Sequence, residues 1–181
     1  MSELRGVAGR ILFREGQESD LDAIAEVEAE SYSSAGAGLS PALFAAPVDT
    51  LSHVALSDDR LVGHVLLTRV EGPDRALALA PLAILPSWRD MQIGTELVRR
   101  ALARSRDDGW RSVFVIGQPD YYCRFGFKSG LADPAISPWQ GPRLLALELV
   151  AGALEGWAGP LTFPESYEAV VRATLPKSAG H

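Results

Sequence analysis

The 181-residue chain carries one cysteine, Cys123, and three histidines. A single thiol cannot close an intrachain disulfide or build a cysteine-based zinc site. The histidines, His53, His64 and His181, are too scattered for a histidine-rich metal centre, so no metal is expected. Basic charge is also short. Seventeen Lys and Arg face 23 Asp and Glu, a formal net charge of −6. Nonspecific nucleic-acid binding draws most of its affinity from basic surface, so that class is set aside. No apolar run reaches the roughly 18 residues of a membrane span. The longest weakly polar stretch, Ala76–Pro86, is short and broken by Pro81. Met1–Arg10 has no apolar run after its charges and does not read as a signal peptide. The expectation is a cytoplasmic protein that contacts neither nucleic acid nor membrane.

What remains is the balance of a folded domain: 47% hydrophobic and 22% charged residues, enough to exclude disorder throughout. At about 150 residues per domain, one domain is expected. A chain of this length buries about 70% of its extended surface, so a sizeable core is available. The expected organisation is a single domain over 1–181, with a core at about 11–150 and a C-terminal arm at 151–181.

Along the chain, residues 11–14 read as a first strand. Leu21, Ile24, Ala25 and Val27 then set an apolar helical stripe reaching about Ser31, with Ser19 and Asp22 as a capping box. Ser33–Pro47 is rich in Ser, Ala, Gly and Pro, a loop or a short second helix near 42–46. Strands follow at 53–56 and 61–70 around the turn Ser57–Arg60. After the turn Glu71–Asp74, Ala76–Leu85 is apolar nearly throughout and is expected to be buried on both faces. Ile93, Leu97, Val98, Ala101 and Leu102 mark one face of a helix that Gly109 stops. Arg111–Ile116 is a strand, Asp120–Phe125 a short helix closed by Gly126, and Leu144–Val150 a late strand. The remainder, with Gly156, Gly159, Pro160 and Pro164, reads as irregular. Hairpin strands followed by strand–helix–strand imply a mixed sheet with helices on its faces.

Two stretches could carry chemistry. In Pro81–Thr95, PLAILPSWRDMQIGT, a buried strand ends at Pro86, a loop carries Arg89, and a helix begins near Gly94. A helix N-terminus exposes unpaired N–H groups and partial positive charge, and an arginine beside it offers a fork for phosphate oxygens. Taken alone, the stretch reads equally as an ordinary strand–helix turn. In Tyr121–Phe127, YYCRFGF, two tyrosines open a helical turn that Gly-Phe closes. Alone, it reads as aromatic packing with a glycine cap.

Their order, separation and flanks resemble the GNAT superfamily of acyl-CoA-dependent N-acyltransferases. PLAILPSWRDMQIGTELVRRAL resembles its central strand, pyrophosphate loop and helix. YYCRFGF resembles the short helix that bears its tyrosine. FREGQESDLDAIAEVEAESY is similar to its first strand and helix, and LLALELVAGALEGWAG to the YhbS-like branch. The resemblance implies an α/β (α+β) fold: a mixed, mostly antiparallel central sheet flanked by helices.

It also implies acetyl-CoA as cosubstrate. The backbone of Leu82, Ala83 and Ile84 would pair with the pantetheine arm as an added strand does, one N–H steadying the thioester oxyanion. Arg89, Asp90, Met91, Gln92, Ile93, Gly94 and Thr95 would hold the pyrophosphate. Tyr122, four residues before Gly126, would protonate the departing thiolate. A phenol of pKa about 10 and a thiol of about 8.5 differ by only about 2 kcal/mol, so the transfer is chemically reasonable. Tyr121 would pack or line the substrate side. The implied acceptor is a small-molecule or peptide primary amine, and a homodimer is compatible with the resemblance.

Three departures from the family pattern stand out. Gln92 occupies the first glycine of the family loop, and Asp90 adds negative charge beside the expected phosphate. The strand Ala76–Leu85 holds no carboxylate to serve as general base. Glu28 and Glu30 could serve, although a solvated helix face is the plainer reading of both. The asparagine often found before the tyrosine is missing, with Gly117–Asp120 in its place. His53 and His64 read as packed or surface residues, and an acyl-Cys123 intermediate has no histidine nearby to support it. The sequence thus points to direct N-acetyl transfer. A non-catalytic CoA-binding or interaction module on the same fold is the alternative.

Overall fold

The computed structural model of the protein describes residues 10–32, 40, 45 and 48–174. Its elements follow the chain as β1 (Ile11–Glu15), α1 (Leu21–Tyr32), β2 (Thr50–Ser57), β3 (Arg60–Arg69), β4 (Ala76–Ile84), α2 (Ile93–Asp107), β5 (Ser112–Ile116), α3 (Pro119–Tyr122), β6 (Ala135–Ile136), β7 (Leu144–Glu148), β8 (Gly159–Pro160) and α4 (Glu165–Thr174). The main sheet runs β1-β2-β3-β4-β5-β7, with β6 and β8 paired separately. Every neighbouring pair in the main sheet is antiparallel except β4 and β5. The expected mixed, mostly antiparallel sheet with flanking helices is what forms.

Local chemistry explains most boundaries. The β2–β3 hairpin turns on Asp58 and Asp59, at φ 47° and 65°, and positive φ at both central residues matches the twist of the flanking strands. The α2 stripe is buried, from 0% exposure at Leu97 to 6% at Leu102. Arg104 and Arg106 in its last turn complement the helix dipole, and Gly109 leaves it at φ 83°. The entry to α1 differs from expectation. The reciprocal cap is made by Gln17 and Asp20 on a 3-10 turn, Glu18–Asp20, rather than by Ser19 and Asp22. Asp20 also takes a bidentate contact from Arg14 at 2.7 and 2.9 Å. That guanidinium holds the Asp20 carboxyl below its ordinary range. The segment read as a loop or short helix near 42–46 lies outside the described residues, apart from Ala45.

The arm is not irregular throughout. Leu154, Leu161, Phe163, Tyr167, Val170 and Val171 are buried with Leu66, Ala78, Phe114 and Ile116 in one core cluster. The other cluster joins α1 and α2 to the sheet. The sequence reading missed α4, because Gly156, Gly159, Pro160 and Pro164 stand just ahead of this ten-residue helix.

β4 and β5 pair in parallel from Ala76↔Ser112 only as far as Leu79↔Val115. Beyond that point β4 stays with β3, through Val65↔Leu82, His64↔Ala83 and Gly63↔Ile84. β5 stays with β7, through Ile116↔Leu144. The central sheet therefore forks. At the fork, the buried Tyr167 hydroxyl donates to the Leu79 carbonyl at 3.0 Å. Burial pushes that phenol well above its ordinary pKa, so it stays a donor.

Candidate active site

The fork opens into a cleft of about 470 Å³. Leu82 and Ile84 of β4 form one wall, and the Arg89–Thr95 loop with the start of α2 forms the floor. Ser31 at the end of α1 and Trp88 close one side; Tyr121 and Arg124 close the other.

The loop is strongly turned. Asp90 and Gln92 both sit at φ 63°, in the left-handed region. Gln92 is the N-cap of α2, yet its side chain makes no capping bond. Gln92, at the first glycine of the family loop, thus takes a conformation that glycine adopts most readily, and Asp90 adds a second left-handed residue. Gly94 keeps a close approach to Tyr121. A Cβ there would lie 3.2 Å from the Tyr121 hydroxyl and 3.7 Å from Ile84 and Leu82 side-chain atoms. The bare backbone leaves the first turn of α2 open toward the cleft. Thr95 follows, 5% exposed, with its hydroxyl 3.5 Å from Arg124 Nη1.

Arg124 is held on two sides. Its Nε donates to the Tyr121 carbonyl at 2.8 Å, and its guanidinium stacks 4.4 Å from the Tyr121 ring centre. Arg89 is tied to the opposite wall, donating to the Ser31 carbonyl at 3.1 Å at the negative end of α1. The Ser31 hydroxyl lies between the Val27 carbonyl at 2.6 Å and the Ile84 carbonyl at 2.9 Å, bringing the end of α1 to the tip of β4. Two guanidinium groups therefore flank a helix N-terminus at the mouth of an apolar-walled cleft. That combination suits a ligand with a phosphorylated head and an extended tail.

Of the expected site residues, Leu82, Ile84, Arg89, Asp90, Gln92, Ile93, Gly94 and Thr95 come together at this cleft. Ala83, between two wall residues, turns its side chain to the other face of the sheet, and Met91 is exposed. Tyr122 is placed differently from its neighbour. Its ring lies so close over Gly117 that a Cβ there would sit 2.5 Å from it, and it packs edge-on against Phe127 at 5.7 Å. It is not among the described residues lining the cleft, whereas Tyr121 is. Sequence reading passed over Arg124 and gave Tyr121 a minor place. Their i, i+3 spacing on a helical turn was the available signal.

The plainer reading of Glu28 is overturned. Glu28 is 1% exposed and lies beside His64, itself fully buried, whereas Glu30 is exposed. Ile24, Val27, Glu28 and Ser31 share one helical face, so spacing alone puts Glu28 on the inward stripe. Among the described residues, no group of three or more His, Cys, Asp or Glu could hold a metal. No described helix is long and apolar enough to cross a membrane.

The chain and its fold have counterparts among known proteins. Residues 21–127 match the model of the Acetyltransferase (GNAT) family. The chain belongs to that family. A curated relative, the Escherichia coli K12 protein YhbS, described as an uncharacterized N-acetyltransferase, is 28% identical over 65% of this chain and 74% of its own length. Another from the same strain, YjhQ, is 36% identical, but the match spans only 46% of this chain and 49% of YjhQ. Among solved structures, YhbS from E. coli in complex with CoA superposes with a TM-score of 0.82 at 26% identity, covering 90% of this chain and 94% of that one. A GNAT acetyltransferase from Brucella melitensis in complex with acetyl-CoA gives 0.72 at 26%, covering 87% and 98%. These support placing the chain in the YhbS-like branch of the GNAT family.

Proposed function

We propose that this GNAT protein transfers an acetyl group from acetyl-CoA to a primary amine by direct attack. The observation that carries the reading is the β4–β5 fork, whose ladder stops at Leu79↔Val115 and whose mouth holds the left-handed Arg89–Gly94 loop. A pantetheine arm has the length and hydrogen-bonding groups to lie along a parted strand. The pyrophosphate then falls at the start of α2, between Arg89 and Arg124. The backbone from Leu82 to Ile84 borders the thioester and supplies an N–H for the developing oxyanion. The two solved relatives were crystallised with CoA and with acetyl-CoA, which supports acetyl-CoA as the ligand.

Tyr122 is the proposed acid for the CoA sulfur. One observation favours a second reading, a CoA-binding module without catalysis: the Tyr122 ring lies over Gly117, outside the lining of the cleft. Calorimetry with acetyl-CoA, followed by acetyl transfer to a panel of polyamines, amino acids and basic peptides, separates them. Micromolar binding is expected, with Arg89→Ala weaker by about 1.5–3 kcal/mol. Tyr122→Phe should bind nearly unchanged and turn over about 10²–10⁴-fold more slowly. No binding at millimolar acetyl-CoA would remove both readings. Binding with no transfer to any acceptor would favour the module.

A further inference from the structure

CoA is anionic in two places: a diphosphate and, on its ribose, a phosphomonoester. The start of α2 takes the first under the proposed function. The charges around the mouth of the cleft decide which side suits the second.

The side closed by Ser31 and Trp88 is electronegative. It lies at the carbonyl end of α1, where Arg89 gives one donor to the Ser31 carbonyl at 3.1 Å. Asp90 lines the same mouth, and Glu30 in the last turn of α1 is exposed. The side closed by Tyr121 and Arg124 has the opposite character. Arg124 stands exposed on the 3-10 turn Cys123–Phe125. Its Nε is taken by the Tyr121 carbonyl, and stacking on the Tyr121 ring sets the plane of the guanidinium. Its Nη1 meets the Thr95 hydroxyl only at 3.5 Å, the outer edge of a hydrogen bond, so the terminal nitrogens keep their donors for an anion. Asp120, four residues earlier, forms no ion pair with it, nor does any other carboxylate among the described residues.

A second guanidinium belongs to the same side. Arg99 follows the buried Thr95 by four residues on α2, so the two share a helical face. Side chains on a helix lean toward its N-terminus, which here is the floor of the cleft. α2 carries four arginines. Arg100 pairs with Glu96, Arg104 with Glu15 and Asp108, and Arg106 donates to the Leu149 carbonyl. Arg99 is exposed and, among the described residues, has no such partner. Two unpaired cations therefore converge on Thr95 in a chain of net charge −6. They repel each other alone and are favourable together around a dianion.

We propose that Arg99 and Arg124 bind the ribose phosphomonoester of acetyl-CoA and thereby make the protein select CoA over its dephospho form. The inference rests on acetyl-CoA as the donor. A phosphomonoester carries about two negative charges at neutral pH, and guanidinium forks match its oxygens. Arg89 and the N–H groups at the start of α2 remain for the diphosphate. Arg124 borders both phosphorylated groups, whereas Arg99 meets the outer one alone.

Calorimetry with acetyl-CoA and with acetyl-dephospho-CoA, which lacks only that phosphate, tests this on wild type, Arg99→Ala, Arg124→Ala and Arg89→Ala. Wild type should prefer acetyl-CoA by about tenfold at low salt, a charge-assisted contact, and the preference should shrink as salt is added. Arg99→Ala should weaken acetyl-CoA by about fivefold, the scale of an exposed ion pair, and leave the dephospho form unchanged. Arg124→Ala should weaken acetyl-CoA by about tenfold or more and the dephospho form by only about threefold. Arg89→Ala should weaken both ligands alike. Arg99→Lys keeps the charge and should retain part of the preference. Because Arg99 and Arg124 are exposed, the unliganded variants should melt near wild type. Equal binding of the two ligands by wild type overturns the inference while leaving acetyl-CoA as the donor. A preference kept in both Arg99→Ala and Arg124→Ala also overturns it. Absence of binding to either ligand at millimolar concentration overturns it together with the proposed function.

Discussion

Gln92 offers the sharpest physical test of the loop. It caps α2 at φ 63° and ψ 11° without a side-chain capping bond, so the strain has no local compensation. A left-handed conformation costs an L-residue about 1–2 kcal/mol relative to its right-handed alternative. Glycine escapes that cost, but its unfolded chain is more flexible, which returns about 0.4–1 kcal/mol. Gln92→Gly should therefore stabilise the fold by about 0.5–1 kcal/mol. For a chain of this size that is a rise in melting temperature of about 1–4 °C. The Gln92→Ala variant is the control. It keeps the strain and removes the side chain beyond Cβ, so its melting temperature should stay near wild type. Acetyl-CoA affinity should rise modestly in Gln92→Gly, because a side chain lining the cleft is gone. The assay is thermal denaturation of the three proteins, with and without acetyl-CoA. A Gln92→Gly variant that melts below wild type would refute the strain argument. One that is stabilised yet binds acetyl-CoA more weakly would show the Gln92 amide to be a ligand contact.

Three further outcomes follow from particular contacts. Tyr167→Phe leaves the buried Leu79 carbonyl without its 3.0 Å donor and should cost about 1–3 kcal/mol, read by urea denaturation. Arg124→Ala should weaken acetyl-CoA binding by about 1.5–3 kcal/mol and flatten its salt dependence, while sparing the melting temperature of the unliganded protein. Asp20→Asn should destabilise the protein at pH 7. The Asp20 pKa is lowered in the fold, so its stabilisation is fully present above the unfolded value of about 3.9 and is lost as pH falls through the folded value. The gap between wild type and Asp20→Asn in denaturant midpoint should therefore close in strong acid.

Much of the architecture was legible because periodicity is a physical requirement. The α2 stripe, the β2–β3–β4 meander and the apolar β4 all follow from the need to bury one face or both. The cleft loop was legible for a different reason: Arg89 through Thr95 are contiguous, so one short stretch carries most of the floor. What stayed hidden depends on contacts remote in sequence. At the fork Leu79 meets Tyr167, 88 residues away. The burial of Glu28 depends on meeting His64 across α1 and β3. Glu28 was nonetheless readable from spacing, because it repeats Ile24 at i+4. A preference for exposed carboxylates prevailed over that geometry.

The family match ends at residue 127, and the segment that covers the sheet beside the fork lies beyond it. Tyr167 acts as a post set where β4 and β5 part, with the segment from Leu154 to Val171 clamped against Leu66, Ala78, Phe114 and Ile116. A fragment cut near residue 150 would keep every residue proposed to touch acetyl-CoA. It would also bare a broad apolar sheet face and remove the post, inviting self-association and letting the parted strands zip together. For expression, the matched segment is therefore a poor guide to the folding unit. The cleft is lined by one part of the chain, and the sheet beside it is covered by another.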